Sequence, residues 1–222
     1  MNTIQHHVGN SSNISKVYNL IILDESGSME AIKQPTINGF NELIQSIKHL
    51  LKDTPEIDQW VSFYSFNGAG IKEHLPLVHA SHLTYFTETN YQPNTSTPLY
   101  DAIGVAANKL RTAIQDEKDY SVLVTILTDG EENSSKEYSF QAVAALINDL
   151  KAKGWVFTYI GANHDVEKTA ISLNINNHIS FKTTVEDTSE VFRKNVRSRR
   201  NFMDKLKTGN TDLQSGFFDG EK

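Results

Sequence analysis

An apolar segment near the start of the chain ends in side chains that suit metal chemistry. Residues 20–23 are all apolar, and Asp24, Ser26 and Ser28 follow them closely. A continuous apolar run is typical of a parallel strand buried on both faces, and ligands bind at the carboxyl ends of such strands. A carboxylate and two hydroxyls are hard oxygen ligands, which suit Mg²⁺, Mn²⁺ or Ca²⁺. The segment therefore predicts a divalent-cation site at the edge of a parallel sheet.

Three segments of the chain resemble the metal-site motifs of von Willebrand factor A (VWA) domains. DESGS (residues 24–28) resembles the D-x-S-x-S signature of that family. STPLYDAIG (residues 96–104) resembles the family's threonine loop, with Thr97 as the matching residue. VLVTILTDGEEN (residues 122–133) resembles the strand and turn that carry the last acid of the site, Asp129. The three motifs occur along the chain in the order that the family has.

The resemblance implies a metal-ion-dependent adhesion site on a Rossmann-like VWA fold. In such a site Ser26 and Ser28 would bind the ion directly, and Thr97 would bind it directly or through water. Asp24 and Asp129 would act directly or through water. The implied ion is Mg²⁺, with Mn²⁺ or Ca²⁺ as alternatives, and an Asp or Glu of a protein partner would complete its shell. The function implied is a protein-binding module and not an enzyme.

The resemblance also sets the domain boundaries. It spans residues 17–202, and GWVFTYIGANHD (residues 154–165) is similar to a subset of bacterial VWA proteins. A chain of 222 residues is long enough for one full α/β domain. We expect one VWA domain at residues 17–207, a mobile N-terminal tail at residues 1–16 and a loose C-terminal tail at residues 208–222.

Composition and charge narrow the possible partners. The chain has no cysteine, which excludes a disulfide framework, zinc fingers and thiol catalysis. A net charge of −6 argues against general affinity for nucleic acid. No apolar run approaches the roughly 20 residues of a membrane helix, and the first residues lack the pattern of a signal peptide. We therefore expect a cytoplasmic protein that binds neither nucleic acid nor membrane.

Alternating strand and helix patterns predict a doubly wound, mostly parallel α/β sheet. Apolar residues at three- or four-residue spacing predict the first helix, which is kinked at Pro35 or begins after it. Pro76 places a strand at residues 71–78 at an edge of the sheet, as the antiparallel partner of a strand at residues 59–66. The other predicted elements are strands at residues 121–128, 155–160 and 178–181, and helices from Pro98, at 138–152, at 166–173 and at 187–207.

Each predicted site residue also has a simpler interpretation as a local structural feature. Asp24 and Ser28 are suited to capping the first helix. Thr97 is suited to capping the next helix, and Asp129 with Gly130 forms an ordinary turn dipeptide. Other acids near the site are interpreted as helix-start or solvent-exposed residues: Asp101, Glu131 and Glu132.

A long polar connection at residues 80–96 precedes Thr97. It contains Tyr85, Phe86 and Tyr91. Long loops are often functional, and aromatic residues are common anchors of protein interfaces. We expect these rings to flank the metal site, with packing on the domain as an equal alternative.

Two further functions compete with the binding module. An aspartate after the first strand can serve as the nucleophile of a metal-dependent phosphatase or hydrolase. Haloacid-dehalogenase-like phosphatases carry a second Asp two residues later, and here that position is Ser26. The basic stretch at residues 193–207 suits nucleic acid or anionic lipid, although a solvated final helix explains it better.

Overall fold

One mixed sheet of six strands runs through the described part of the protein. The computed structural model describes residues 14–163, 165–209 and 212–221. Its strands are β1 (Lys16–Asp24), β2 (Asp58–Asn67), β3 (Gly70–His79), β4 (Tyr120–Thr128), β5 (Trp155–Ala162) and β6 (Asn177–Phe181). The order is β3-β2-β1-β4-β5-β6, with all neighbours parallel except β2 and β3. This order confirms the predicted doubly wound, mostly parallel α/β sheet with one antiparallel edge strand.

Helices cover both faces of the sheet, and they divide the core into two layers. They are α1 (Lys33–Asp53), α2 (Leu99–Ala113), α3 (Phe140–Ala152), α4 (Val166–Ser172) and α5 (Val185–Lys207). Alternate residues of β1 point to opposite faces. Val17, Ile21 and Leu23 pack in the layer of α1 and α5, and the intervening apolar residues pack in the layer of α2, α3 and α4. The central strand is therefore buried on both sides, as its apolar run predicts.

The start of α1 differs from the prediction. The helix begins at Lys33, directly after a short 3₁₀ helix (Gly27–Ile32), so Pro35 lies inside its first turn. Proline is tolerated there because the first N–H groups of a helix have no partner within it. Further along, a Cβ added to Gly39 would lie 2.2 Å from the ring of Phe192. The glycine therefore permits the close approach of α1 and α5.

Capping residues also move the predicted starts of α3 and α5. The hydroxyl of Ser139 accepts a hydrogen bond from the Ala142 N–H, so α3 begins at residue 140 and not at 138. The hydroxyl of Thr184 accepts one from the Asp187 N–H at 3.1 Å, so α5 begins two residues earlier than predicted. Ser and Thr are favoured at such positions because they satisfy free N–H groups. Among the residues described, no helix is long and apolar enough to cross a membrane.

The ends of the domain extend beyond the predicted limits of residues 17 and 207. Residues 1–13 of the predicted mobile tail lie outside the described residues, whereas Ser15 N–H donates to the Asp119 carbonyl at 2.7 Å. At the other end, Phe217 and Phe218 are buried in the layer of α1 and α5. The side chain of Asn177 bonds the backbone of Gln214 and Phe217, each at 3.0 Å. The segment at 212–221 therefore packs on the domain, contrary to the prediction of a loose tail.

Candidate metal centre

The predicted site begins where two neighbouring parallel strands end. Leu23 of β1 is in register with Leu127 of β4, so Asp24 and Thr128 lie side by side. The Thr128 hydroxyl donates to Asp24 Oδ2 at 2.6 Å, and the Ser26 N–H donates to Asp24 Oδ1 at 2.7 Å. Both oxygens of Asp24 thus accept a hydrogen bond, which fixes the carboxylate beneath the loop that follows β1.

Hydroxyls and a second carboxylate meet above Asp24. The Ser28 hydroxyl donates to Asp129 Oδ1 at 2.6 Å, and the hydroxyl oxygens of Ser26 and Ser28 are 3.2 Å apart. Since Ser28 gives its proton to Asp129, it accepts the proton of Ser26. A Cβ built on Gly130 would lie 3.7 Å from Thr97 Oγ1 and 3.9 Å from Ser28 Oγ. The absence of a side chain at Gly130 leaves a cradle that these hydroxyls border.

The structure thus brings all five predicted site residues to one edge of the sheet, from three loops. Their donor chemistry fits a hard dication, since oxygen ligands suit such ions. In the described part of the chain no group of three His, Cys, Asp or Glu side chains is arranged for a metal. The predicted set has two carboxylates and three hydroxyls, so it is not a group of that kind.

Burial dominates the electrostatics of Asp24. The side chain is fully buried, and burial raises the pKa of Asp24 to about 6. This value already includes the lowering by hydrogen bonds from Thr128 and Ser26 and the smaller rise from the negative charge of Asp129. The site therefore holds negative charge at a cost that a bound cation would offset.

The capping interpretations of these residues are wrong. Ser28 lies inside the 3₁₀ helix that precedes α1, and neither helix start has a side-chain cap. Pro98, without a side-chain cap, precedes the first residue of α2, so Thr97 does not cap that helix. The hydroxyls at residues 28 and 97 are thus free of the capping roles that compete with metal binding.

A side chain that the sequence analysis did not single out fixes the threonine loop. Asn133 Oδ1 accepts a hydrogen bond from the Thr97 N–H at 2.8 Å, and the Asn133 N–H donates to the Thr97 carbonyl at 3.2 Å. This reciprocal pair joins the second loop of the site to the third. No spacing rule signals it, because the two residues are 36 positions apart.

Two of the neighbouring acids hold loop backbone. Asp101 accepts hydrogen bonds from the N–H groups of residues 136, 137 and 138 at 2.8–2.9 Å. Glu132 accepts from the N–H groups of Ser134 and Ser135, each at 2.7 Å. Neither acid is a solvent-exposed residue, since Asp101 is buried and Glu132 is half-buried. They shape the loop after Asp129.

The aromatic residues of the long connection are divided between core and surface. Phe86 and Tyr91 are buried, and the Tyr91 hydroxyl donates to the Asp24 carbonyl at 2.7 Å. Tyr85 is 64% exposed. A rim role is therefore wrong for Phe86 and Tyr91, which pack on the domain and support the site from below.

Two features define the class of this protein: a doubly wound sheet with one antiparallel edge strand, and small oxygen-bearing side chains gathered from three loops at its carboxyl edge. The family model of the von Willebrand factor type A domain matches residues 20–195. The chain therefore belongs to the VWA domain family. Domains of this family are generally adhesion or protein-interaction modules and mostly not enzymes.

Solved structures share the fold at low sequence identity. The pilus adhesin SpaC of Lactobacillus rhamnosus GG matches with a TM-score of 0.60 and 13% identity, over 90% of this chain and 31% of SpaC. The SpRpn10 VWA domain matches with 0.51 and 12%, over 82% of this chain and 94% of that domain. Manganese-loaded TRAP protein of Plasmodium vivax matches with 0.50 and 16%, over 76% and 69%. This chain spans less than a third of SpaC, and no curated protein matches it.

Proposed function

We propose that the chain is a metal-dependent protein-binding module, which recognises an acidic side chain of a protein partner through a divalent cation. One observation supports the proposal: the Thr97 and Ser28 hydroxyls both lie within 4 Å of the space beside Gly130, and Ser28 contacts the Ser26 hydroxyl and the Asp129 carboxylate. The proposed ion is Mg²⁺, with Mn²⁺ or Ca²⁺ as alternatives. The manganese in the P. vivax TRAP structure supports Mn²⁺ as an experimental probe.

The proposed ligands differ in charge. Ser26, Ser28 and Thr97 supply neutral hydroxyls. The negative charge that offsets the dication therefore comes from Asp24 and Asp129 alone. Both oxygens of Asp24 already accept hydrogen bonds, and their remaining lone pairs suit a water between Asp24 and the ion. A dication held in this way stays attractive to a further anionic oxygen, such as a carboxylate of a partner.

The surface beside the site has room for the partner. A groove of about 410 Å³ opens next to Thr97, and Ser96, Pro98 and the β2–β3 turn at residues 67–70 line it. Its wall carries exposed Lys136 and two acids, Asp101 and Glu137. A segment of the partner in this groove would lie beside the threonine loop of the site.

The phosphatase alternative lacks a proton donor at the expected position. Ser26 stands there, and its hydroxyl lies 3.2 Å from Ser28 within the set of proposed metal ligands. We therefore propose a non-enzymatic role. A cytoplasmic location stays a prediction.

Affinity capture tests the proposed function. The immobilised chain is incubated with lysate of its source cells in Mg²⁺ and in EDTA, as wild type, Ser28→Ala and Ser172→Ala. Ser172 is an exposed serine of α4 and serves as the control. We expect one protein to be captured in Mg²⁺ by the wild type and by Ser172→Ala, and to be lost with Ser28→Ala.

The same capture identifies the recognised group. Replacing one Asp or Glu of the captured protein by Ala should abolish binding. Capture that is equal in EDTA and Mg²⁺ would contradict the proposed function.

A further inference from the structure

Glu25 is a buried acid that the motif itself does not assign a role. It occupies a variable position of DESGS, and only 5% of the residue is exposed. Lys, Glu, Arg and Asp are almost never buried unless they are paired. The burial of Glu25 therefore requires polar partners for its carboxylate.

The carboxylate of Glu25 bonds the segment that leads to Thr97. Its Oε1 accepts a hydrogen bond from the Gln92 N–H at 2.5 Å. The backbone adds two bonds nearby: the Asn94 N–H donates to the Glu25 carbonyl at 2.9 Å, and the Gly27 N–H donates to the Thr95 carbonyl at 3.0 Å. The loop after β1 and the segment at residues 92–95 are thus held side by side.

The second oxygen of Glu25 is fixed from the other direction. The Ser65 hydroxyl of β2 donates to Glu25 Oε2, and His74 Nε2 of β3 lies 2.7 Å from the Ser65 oxygen. Because Ser65 gives its proton to Glu25, His74 must donate through Nε2–H. The His74 ring stacks on Phe63 at 4.6 Å, and burial lowers its pKa to about 4, so the ring is neutral at neutral pH.

We infer that Glu25 is a positioning residue of the metal site, which holds the Thr97 hydroxyl at the cradle by fixing the segment at residues 92–95. The inference rests on the proposed function, because it concerns the same site. Its carboxylate is turned to the neighbouring loop and to β2, where one oxygen bonds Gln92 and the other bonds Ser65. Outer partners of this kind orient metal ligands, and their loss typically weakens metal affinity 10- to 100-fold.

Mn²⁺ affinity of the full chain tests this role. Electron paramagnetic resonance of free Mn²⁺ gives the Kd for wild type, Glu25→Ala and Glu25→Gln. Glu25→Ala should bind Mn²⁺ about 10- to 100-fold more weakly. Glu25→Gln should bind nearly as wild type, because its amide oxygen can still accept from Gln92 and its amide can donate to Ser65. This rescue separates positioning from charge.

Two controls make the result decisive. Thr125→Val, a buried change within β4 that touches none of the proposed ligands, should lower stability and leave the Mn²⁺ affinity unchanged. If Glu25→Ala does not fold, Ser65→Ala takes its place and should also bind Mn²⁺ more weakly than the wild type.

Each outcome has a separate meaning. Unchanged affinity in Glu25→Ala, or in Ser65→Ala where that variant replaces it, would overturn the positioning role alone. A loss in Glu25→Gln as large as that in Glu25→Ala would also overturn it, because the charge would then matter and not the bond. A wild type that binds no Mn²⁺ would overturn the proposed function.

Discussion

Two charged side chains are buried against the same strands, and their surroundings differ. Asp24 ends β1 and meets a second acid, Asp129, whose charge opposes its ionisation. Arg199 of α5 is 2% exposed, and burial lowers its pKa to about 9. No carboxylate lies within ion-pair distance of Arg199 in the described part of the chain.

Arg199 is compensated by neutral oxygens of its own chain. Its guanidinium donates to Asn19 Oδ1 at 2.7 Å, Thr125 Oγ1 at 2.6 Å and Asn195 Oδ1 at 3.0 Å. The guanidinium group thus joins α5 to β1 and β4. Around Asp24, in contrast, the neighbouring groups are a second carboxylate and hydroxyl oxygens, and the absence of a side chain at Gly130 leaves space beside them. The difference indicates that the charge of Arg199 serves the fold, and it supports the proposal that the charge of Asp24 serves a metal ion.

The ion pairs of the basic stretch at residues 193–207 bear on its two interpretations. Besides the burial of Arg199, Arg193 and Arg197 form ion pairs with Glu190, and Arg197 pairs with Glu221 as well. These pairs fit the interpretation of a solvated final helix, and the absence of nucleic acid or lipid as a partner stays a prediction.

The largest expected effect is the pH dependence of the site without metal. The folded pKa of Asp24, about 6, lies above the ordinary value of 3.8 for an aspartate. Protonation therefore favours the folded state, and this stabilisation is present below about pH 4 and is lost as the pH rises through 6. Relative to Asp24→Asn, the wild type in EDTA should lose about 3 kcal/mol over that range.

Chemical denaturation of both proteins at several pH values in EDTA measures this loss. The stability difference between them should grow with pH up to about pH 7. If the free energies of unfolding of the two proteins changed with pH in parallel, ionisation of Asp24 would not destabilise the metal-free protein.

The next effect concerns the buried hydrogen bonds of Arg199. Thr125→Val removes an acceptor from the buried Arg199 and should destabilise the protein by about 2 kcal/mol, because a charged donor loses its bond. Thr36 is equally buried, and its hydroxyl has no hydrogen-bond partner among the described residues. Thr36→Val is therefore the matched control and should change the free energy of unfolding little. Equal losses in the two variants, measured in urea, would remove the special role of Arg199.

The smallest effect concerns the support beneath the site. Tyr91→Phe removes the hydrogen bond to the Asp24 carbonyl and keeps the buried ring, so it should cost about 1 kcal/mol. Its thermal melt in EDTA should lie a few degrees below that of the wild type. Tyr85→Phe, at the exposed ring of the same connection, should melt as the wild type does. A melt of Tyr91→Phe that matches the wild type would show that the bond contributes nothing to the fold.

Local patterns predicted the parts of the site that lie close together in sequence. The apolar run before Asp24 and the spacing of Ser26 and Ser28 carry their own signal, because a strand and the turn after it are continuous. The bond between Asn133 and Thr97 has no such signal, and neither does the bond between Arg199 and Asn19, which are 180 residues apart. Those contacts depend on how the elements pack.

The same reason explains why the sequence did not show which aromatic residues of the loop and of the C-terminal segment are buried. Phe217 and Phe218 follow a polar stretch, and nothing local shows that they reach the core. Tyr91 lies in a long polar loop, and its burial depends on β1 and α1 being in place. A loop sequence reports which rings are available, whereas the packed sheet decides which of them are buried.

A crystal soaked in millimolar Mn²⁺ tests the central claim most directly. Anomalous diffraction should show one ion in the cradle beside Gly130, with the oxygens of Ser26, Ser28, Thr97 and Asp129 bound directly or through water. The direct metal–oxygen distances should be slightly longer than the roughly 2.0–2.1 Å typical of Mg²⁺. The same soak of Ser28→Ala should show a weaker peak or none. An empty cradle in the wild type, or an ion held only elsewhere, would contradict the account.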